Sequence, residues 1–348
     1  MKVETPLVKS LPAARRRAVS ASPQSMVRAE PLSGESLLPL VVRPALGGVE
    51  LASWAAGNRE WLEARLREHG AILFRDFPIG GADAFEAVVT AISGAPMEYR
   101  ERSSPRSRVG GQVYTSTDYP AEQSIFPHNE HSYAQTWPMK LFFYCETAAR
   151  EGGETPLADC RRVYRRIDPQ IRERFARAGW IYARNFGDGF GLPWRTVFQT
   201  DDRAAVEAYC IANDIEFEWK PGDRLRTRQR RAAAAAHPRT GEPVWFNHAT
   251  FFHVSTLAPA VRDALLTQFT DEDLPNNSYY GDGQPIEPEV LEHLREAYLS
   301  EVVTFSWQQG DLVMLDNMLT AHARNPYVGR RRVLFAMSEP FNRQDLTQ

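Results

Sequence analysis

An imidazole and a carboxylate two residues apart, His128 and Glu130 in the segment Pro127-His128-Asn129-Glu130, can reach one ion if the backbone is extended, because side chains at i and i+2 then share a face. With one further donor they would make a 2-His-1-carboxylate facial triad, which leaves the other positions of a non-haem iron(II) ion for a cosubstrate and O2. The pair alone decides little. With 8 histidines and 44 acidic residues in 348 positions, about one His-x-acid match arises by chance, and one is found.

His322, in the segment DNMLTAH, is the candidate third ligand, because a β-rich run precedes it and a basic strand follows it. His131 and His248 stay as reserve ligands, whereas His69, His237, His253 and His293 lack comparable surroundings. A cosubstrate such as 2-oxoglutarate also needs a cation for its distal carboxylate, and the planar fork of arginine suits that task. Arg330, Arg331 and Arg332 open the run RRRVLFAM. Strand alternation points Arg331 opposite to its neighbours, which predicts Arg332 or Arg330 on the inward side. The same cluster would also serve as a charged guard on an edge strand.

These residues need a β-scaffold. Strand-like runs occur near 111–116, 139–147, 180–186, 243–254, 302–307, 312–316 and 331–338. Helical spacing occurs at 58–69, 82–92, 161–178, 202–213, 258–269 and 287–300. The mixture does not alternate as a parallel βαβ sheet would, and it predicts a mainly β jelly roll, a double-stranded β-helix with helical insertions. VTFSW and LVMLDN around the turn residues 308–311 predict a hairpin. Residues 1–45, rich in Pro, Ser, Arg and Ala, predict an extended or partly disordered arm. Residues 46–348 then form a single catalytic domain with a helical insertion around 160–300. The alanine run at 232–236 fits a helix or a surface loop.

A formal net charge of -3 argues against a broad nucleic-acid footprint, and the arginines at 15–17 and 224–231 fit solvated surface. Three scattered cysteines suit neither a disulfide framework nor a zinc ribbon, and point to a reducing cytoplasm. No stretch approaches 18 apolar residues, so no membrane span is expected. The oligomeric state is not encoded in any pattern found.

At these positions the chain resembles the TauD/TfdA family of taurine-dioxygenase-like enzymes. The resemblance runs from about Gly70 to Pro340 through His128-x-Glu130, Gly152-Gly153-Glu154-Thr155-Pro156, Gly310-Asp311, His322 and the Arg332 strand. Within the family it is most similar to the syringomycin-biosynthesis-type (SyrP-like) branch, through ERSSPRSRVGGQVYTSTDYP, FPHNEHSY, LFFYCE, EGGETPLADCRRVY, HPRTGEPVWFN and GRRRVLFAM. The resemblance implies that His128, Glu130 and His322 bind Fe(II), that Thr155 and Arg332 hold the distal carboxylate of 2-oxoglutarate, and that O2 is the second cosubstrate. Glu130 stands where the family usually has Asp, and His248 where Gln is expected. Related halogenases replace the carboxylate ligand with a small residue, so an intact Glu130 implies oxygen transfer.

The resemblance further implies a hydroxylase in natural-product biosynthesis. Its substrate would be an amino acid or amino-acid-derived group, free or presented by a peptidyl carrier protein. Tyr114, Arg184, Asn185, Trp194, Trp245 and Asn247 are the candidate substrate contacts, against an equally plain reading of the tryptophans as core and Arg184 as an ion-pair residue. Desaturation, cyclisation or epimerisation would use the same cofactors. A non-catalytic carrier-binding protein would be expected to have lost ligands, and a zinc hydrolase would need motifs that are missing.

Overall fold

The computed structural model describes residues 26–346 apart from 35, 99, 100, 102, 104, 105 and 188. Its centre is an eight-stranded sheet with the spatial order Val27–Ser33, Ser36–Pro44, Ala71–Phe74, Leu312–Asp316, Thr136–Thr147, Arg332–Asn342, Val113–Thr115 and Arg108–Gly110. All neighbours are antiparallel except Ser36–Pro44 beside Ala71–Phe74. Thr136–Thr147 (TWPMKLFFYCET) is apolar almost throughout because both of its faces are covered. Phe142 and Tyr144 face the helices Arg59–His69 and Ala82–Ser93, packing with Leu62, Leu66, Phe85 and Val89. Leu141, Phe143 and Cys145 face the other way, into an inner core with Leu157, Val313, Val333 and Phe335.

Leu157 belongs to a second sheet, ordered Val302–Val303, Leu157–Asp159, Thr320–Arg324 and Ile125–His128. The inner core therefore lies between two sheets, which is the expected jelly roll. This smaller sheet carries both candidate histidines.

Several sequence expectations need correction. The boundary of the arm at residue 45 falls too late. Val27–Ser33 pairs with Ser36–Pro44 as the edge of the main sheet, and Leu38, Leu40, Val41 and Val42 are buried there. The earlier part of the arm, residues 1–25, lies outside the described residues. Residues 302–316 are no hairpin, because Val302–Val303 pairs with Leu157–Asp159 while Leu312–Asp316 joins the main sheet. The turn between them exists for another reason: Asp311 accepts from Gln308 N (2.8 Å) and binds the buried Arg75 through both oxygens at 2.9 and 2.6 Å. The helix at 161–178 is two, Cys160–Arg166 and Pro169–Ala178, the second capped by Asp168, which accepts from Gln170 N.

The insertion at 160–300 is not purely helical. It holds its own sheet, ordered Ile215–Lys220, Arg224–Arg231, Trp180–Phe186 and Asn276–Tyr280. Arg224–Arg231 (RLRTRQRR) is a strand whose Arg224, Arg226, Arg228 and Arg230 keep the more exposed side, while Leu225, Thr227, Gln229 and Arg231 form its buried side. The alanine run is also a strand, Ala234–Ala236 against Pro243–Trp245. No described helix is long and apolar enough to cross a membrane.

Candidate metal centre and cosubstrate pocket

Strand register brings the two histidines together. On the antiparallel pair Thr320–Arg324 and Ile125–His128, His322 lies directly opposite His128, and directly opposed side chains on one face touch. Their ring centroids are 4.4 Å apart. Glu130 follows just past the end of its strand, and the ligand atoms of His128, Glu130 and His322 all fall within 4.8 Å of one another. All three are buried.

The electrostatics suit a divalent cation. His128 Nδ1 lies 2.9 Å from the Phe126 carbonyl, so Nδ1 carries the hydrogen and Nε2 keeps its lone pair for a metal. Burial holds the His128 imidazole below its ordinary pKa and that of His322 well below, keeping both neutral. Nδ1 of His322 is buried without a hydrogen-bond partner among the described residues. Burial alone would raise the Glu130 carboxyl, but the Arg106 guanidinium, through its charge and its hydrogen bond, outweighs it and holds the carboxyl below the usual carboxylate range. Arg106 donates to Glu130 Oε2 at 2.7 Å and lies over the Phe335 ring at 3.8 Å. Two neutral imidazoles and one ionised carboxylate, dry and convergent, are a donor set that iron(II) accepts.

Beside the triad, the same cavity is lined by Thr155, Ser116, Phe143, Arg324 and Arg331. Arg332 is not there. The inward face of its strand is that of Val333 and Phe335, shared by Arg331, and an irregularity in pairing sits between Arg332 and Val333. Arg332 is half-exposed on the opposite side, paired with Glu146 at 2.8 Å. Alternation was the right rule, but its phase was inverted.

Arg331 donates from Nε to Gly153 O (2.9 Å) and from Nη1 to Ser116 Oγ (3.3 Å). Arg324 donates to the carbonyls of Tyr119, Pro120 and Gln123. Among the described residues neither has a carboxylate within ion-pairing distance. Burial and then the nearby Arg324 push the Arg331 guanidinium down to about 10. Two cations, Arg324 buried and Arg331 partly buried, with no carboxylate in direct contact among the described residues make a receptor for an anion. Thr155 Oγ accepts from Trp307 Nε1 (3.1 Å), which frees its hydroxyl hydrogen to donate to that anion.

Gly153 is what lets Arg331 lie flat. Its φ is +74°, and a Cβ there would meet Arg331 Cδ at 2.9 Å and Tyr327 Cβ at 3.1 Å. Gly153→Ala should therefore displace the guanidinium and raise the KM for 2-oxoglutarate roughly tenfold or more. Steady-state kinetics with varied 2-oxoglutarate would check this, and an unchanged KM would contradict it.

The six candidate substrate contacts are not brought to the triad. Tyr114 packs in the inner core with its hydroxyl on Gln112. Arg184 lies over the Tyr182 and Phe186 rings. Asn185 donates to the carbonyls of Glu272 and Leu274, and Asn247 donates to Ala233 O. Trp194 and Trp245 are core residues of two separate clusters. Of the reserve ligands, His248 packs beside His128 (5.5 Å between centroids) with Nδ1 2.5 Å from Ser132 Oγ, and Phe251 lies 4.5 Å from the His128 ring. His131 stands 3.8 Å from Glu130 Oε1.

Sequence reasoning missed Arg106, Ser116, Trp307, Arg324 and Arg331. Arg331 had a signal as one of the three arginines weighed, and Arg106 and Ser116 fall in the run ERSSPRSRVGGQVYTSTDYP that carries part of the resemblance, with no role attached to either.

Comparisons with known proteins agree with this geometry. The sequence model "Taurine catabolism dioxygenase TauD, TfdA family" matches residues 29–337. The dapdiamide synthesis protein DdaC of Enterobacter agglomerans is 41% identical over 275 residues, covering 79% of this chain and 84% of that protein. A clavaminate synthase-like protein of Arabidopsis thaliana is 30% identical over 292 residues, covering 80% and 84%. Among solved structures, PvcB, described as an Fe, alpha-ketoglutarate dependent oxygenase from an isonitrile synthetic pathway, shares the fold. Its TM-score is 0.55 at 16% identity, over 95% of this chain and 98% of that one. The chain belongs to the TauD/TfdA family and is an iron(II)- and 2-oxoglutarate-dependent dioxygenase.

Proposed function

We propose that this dioxygenase hydroxylates an unactivated carbon of an amino acid or amino-acid-derived substrate in natural-product biosynthesis. In this reading His128, Glu130 and His322 hold iron(II), and Thr155 and Arg331 hold the distal carboxylate of 2-oxoglutarate. The observation that carries the site is the pair Arg331 and Arg324, neither in contact with a carboxylate among the described residues, in the cavity that also exposes His128 and His322.

The cofactors supply the oxidation: O2 is consumed as 2-oxoglutarate loses CO2 to give succinate, and a C–H bond of the substrate becomes C–OH. The chain's own residues do the rest. Arg331 and Thr155 orient the cosubstrate, Arg106 engages Oε2 of Glu130 and so leaves Oε1 for the metal, and Phe143 and Phe335 keep the inner wall dry. No side chain need act as a general acid or base.

DdaC is named for a role in dapdiamide synthesis, which supports a biosynthetic assignment at 41% identity. The intact Glu130 supports oxygen transfer. Three cysteines, all buried and unpaired, support a reducing cytoplasmic setting. The test is product mass after incubation with Fe(II), 2-oxoglutarate, O2 and amino-acid substrates, offered both free and as carrier-bound thioesters. Gain of one oxygen is expected; loss of two hydrogens would replace hydroxylation with desaturation.

A further inference from the structure

Glu130 lies beyond the end of a strand, yet its main chain is fixed at both polar atoms by one side chain. Its N–H donates to Asn317 Oδ1 at 2.8 Å, and Asn317 Nδ2 donates back to its carbonyl at 2.8 Å and to Pro138 O at 2.9 Å. Asn317 is fully buried, and its own carbonyl accepts from Asn129 Nδ2 at 2.7 Å. Two of the three side-chain hydrogen bonds of this amide are thus made to the main chain of Glu130 itself, and the third ties it to the strand Thr136–Thr147.

The neighbouring Asp316 anchors that amide from behind. Its Oδ1 accepts from Met318 N (2.9 Å) and Leu319 N (3.1 Å), and its Oδ2 faces His237 Nε2 at 3.1 Å. His237 Nδ1 accepts from the backbone N–H groups of Arg239 and Thr240, so Nε2 carries the hydrogen and donates to Asp316. His237, Asp316 and Asn317 are each 2% exposed or less. His237 belongs to the insertion, beside the Ala234–Ala236 hairpin, far in sequence from both ligating segments.

We infer that Asn317 is the positioning residue for Glu130 and that the buried His237–Asp316 pair, contributed by the insertion, holds Asn317 in register. Neither Asn317 nor His237 touches the metal position. The chain of contacts links the insertion to the triad through hydrogen bonds that a well-packed fold would not otherwise need. The inference rests on the reading of Glu130 as a ligand.

The test uses the full-length apo chain titrated with Co(II), followed by its visible d–d absorption, with far-UV circular dichroism and the thermal midpoint recorded for each variant. Asn317→Ala should weaken Co(II) binding roughly 10- to 100-fold in protein that remains folded, as removal of a group that orients a ligand does. Asn317→Asp, which keeps the acceptor for Glu130 N but sets an oxygen against two carbonyls, should weaken it at least as much. His237→Ala should weaken it several-fold, and His237→Gln, which restores a donor towards Asp316, should recover it.

A folded Asn317→Ala protein that binds Co(II) within about twofold of the parent, even with a lowered thermal midpoint, would overturn the inference and leave Asn317 merely structural. If both Asn317 variants fail to fold, His237→Ala decides: unchanged Co(II) affinity overturns the link. Glu130→Ala is the control, since unchanged affinity in that variant would mean that the reading of the triad has failed rather than the positioning.

Discussion

Glu130→Ala should abolish 2-oxoglutarate consumption and lower the affinity for Fe(II) by more than about 100-fold. Loss of a residue that only orients a ligand costs roughly 10- to 100-fold in metal affinity, and removing one of three ligands, the only anionic one, must exceed it. The substitution also deletes the buried ion pair with Arg106, both of whose side chains are about 2–3% exposed. Breaking such a pair costs about 3–5 kcal/mol, so the apo protein should lose stability as well. Glu130→Gln keeps the shape and a hydrogen-bond acceptor for Arg106; it should therefore recover part of the stability and little of the metal affinity. Iron titration and thermal unfolding of both variants separate the two effects. Normal 2-oxoglutarate turnover by Glu130→Ala would remove it from the ligand set.

Arg331→Gln should raise the KM for 2-oxoglutarate far more than Arg332→Gln. Truncating one partner of a buried, hydrogen-bonded charge pair costs about 2–5 kcal/mol, or roughly 30- to 5,000-fold in affinity. Arg332 is half-exposed and engaged with Glu146, and surface pairs of that kind contribute about 0–1 kcal/mol. Its variant should stay within about twofold of the parent. The comparison is decisive because the two arginines are adjacent: the opposite ranking would restore Arg332 to the site and overturn the strand phase described above.

The sequence carried the triad and the jelly roll because both rest on order along the chain. Alternating or continuous apolar runs such as Thr136–Thr147 specify strands through burial, and His128-x-Glu130 is close in sequence, although Glu130 itself lies in the turn just past the strand Ile125–His128. The third ligand required the cross-strand register of His322 with His128, which no local pattern contains. The same limit explains Arg332. Period-two alternation gives two faces but does not say which is inside, and only the partner strand and the irregularity beside Val333 settle it.

That Arg224–Arg231 is a strand with Arg231 on its buried side was missed for a related reason. Its alternation of arginine with Leu225, Thr227 and Gln229 is a strand signal, but the density of charge masked it. The hairpin expected at 302–316 failed because turn chemistry around Gly310 was satisfied by Arg75, Asp311 and Cys145 rather than by a paired strand. The candidate substrate contacts had no register to place them: Trp194, Asn185 and Asn247 donate to main-chain carbonyls, and Trp245 packs in a core cluster shared with Trp137, Met318 and Ala321.

The most direct test of the centre is an anaerobic titration of the apo protein with Fe(II) and 2-oxoglutarate, read as the weak visible charge-transfer band of the bound cosubstrate. The band should appear in the parent and saturate at one equivalent per chain, require far more 2-oxoglutarate in Arg331→Gln, and fail to form in Glu130→Ala. Absence of the band in folded parent protein at saturating cosubstrate would contradict the assignment.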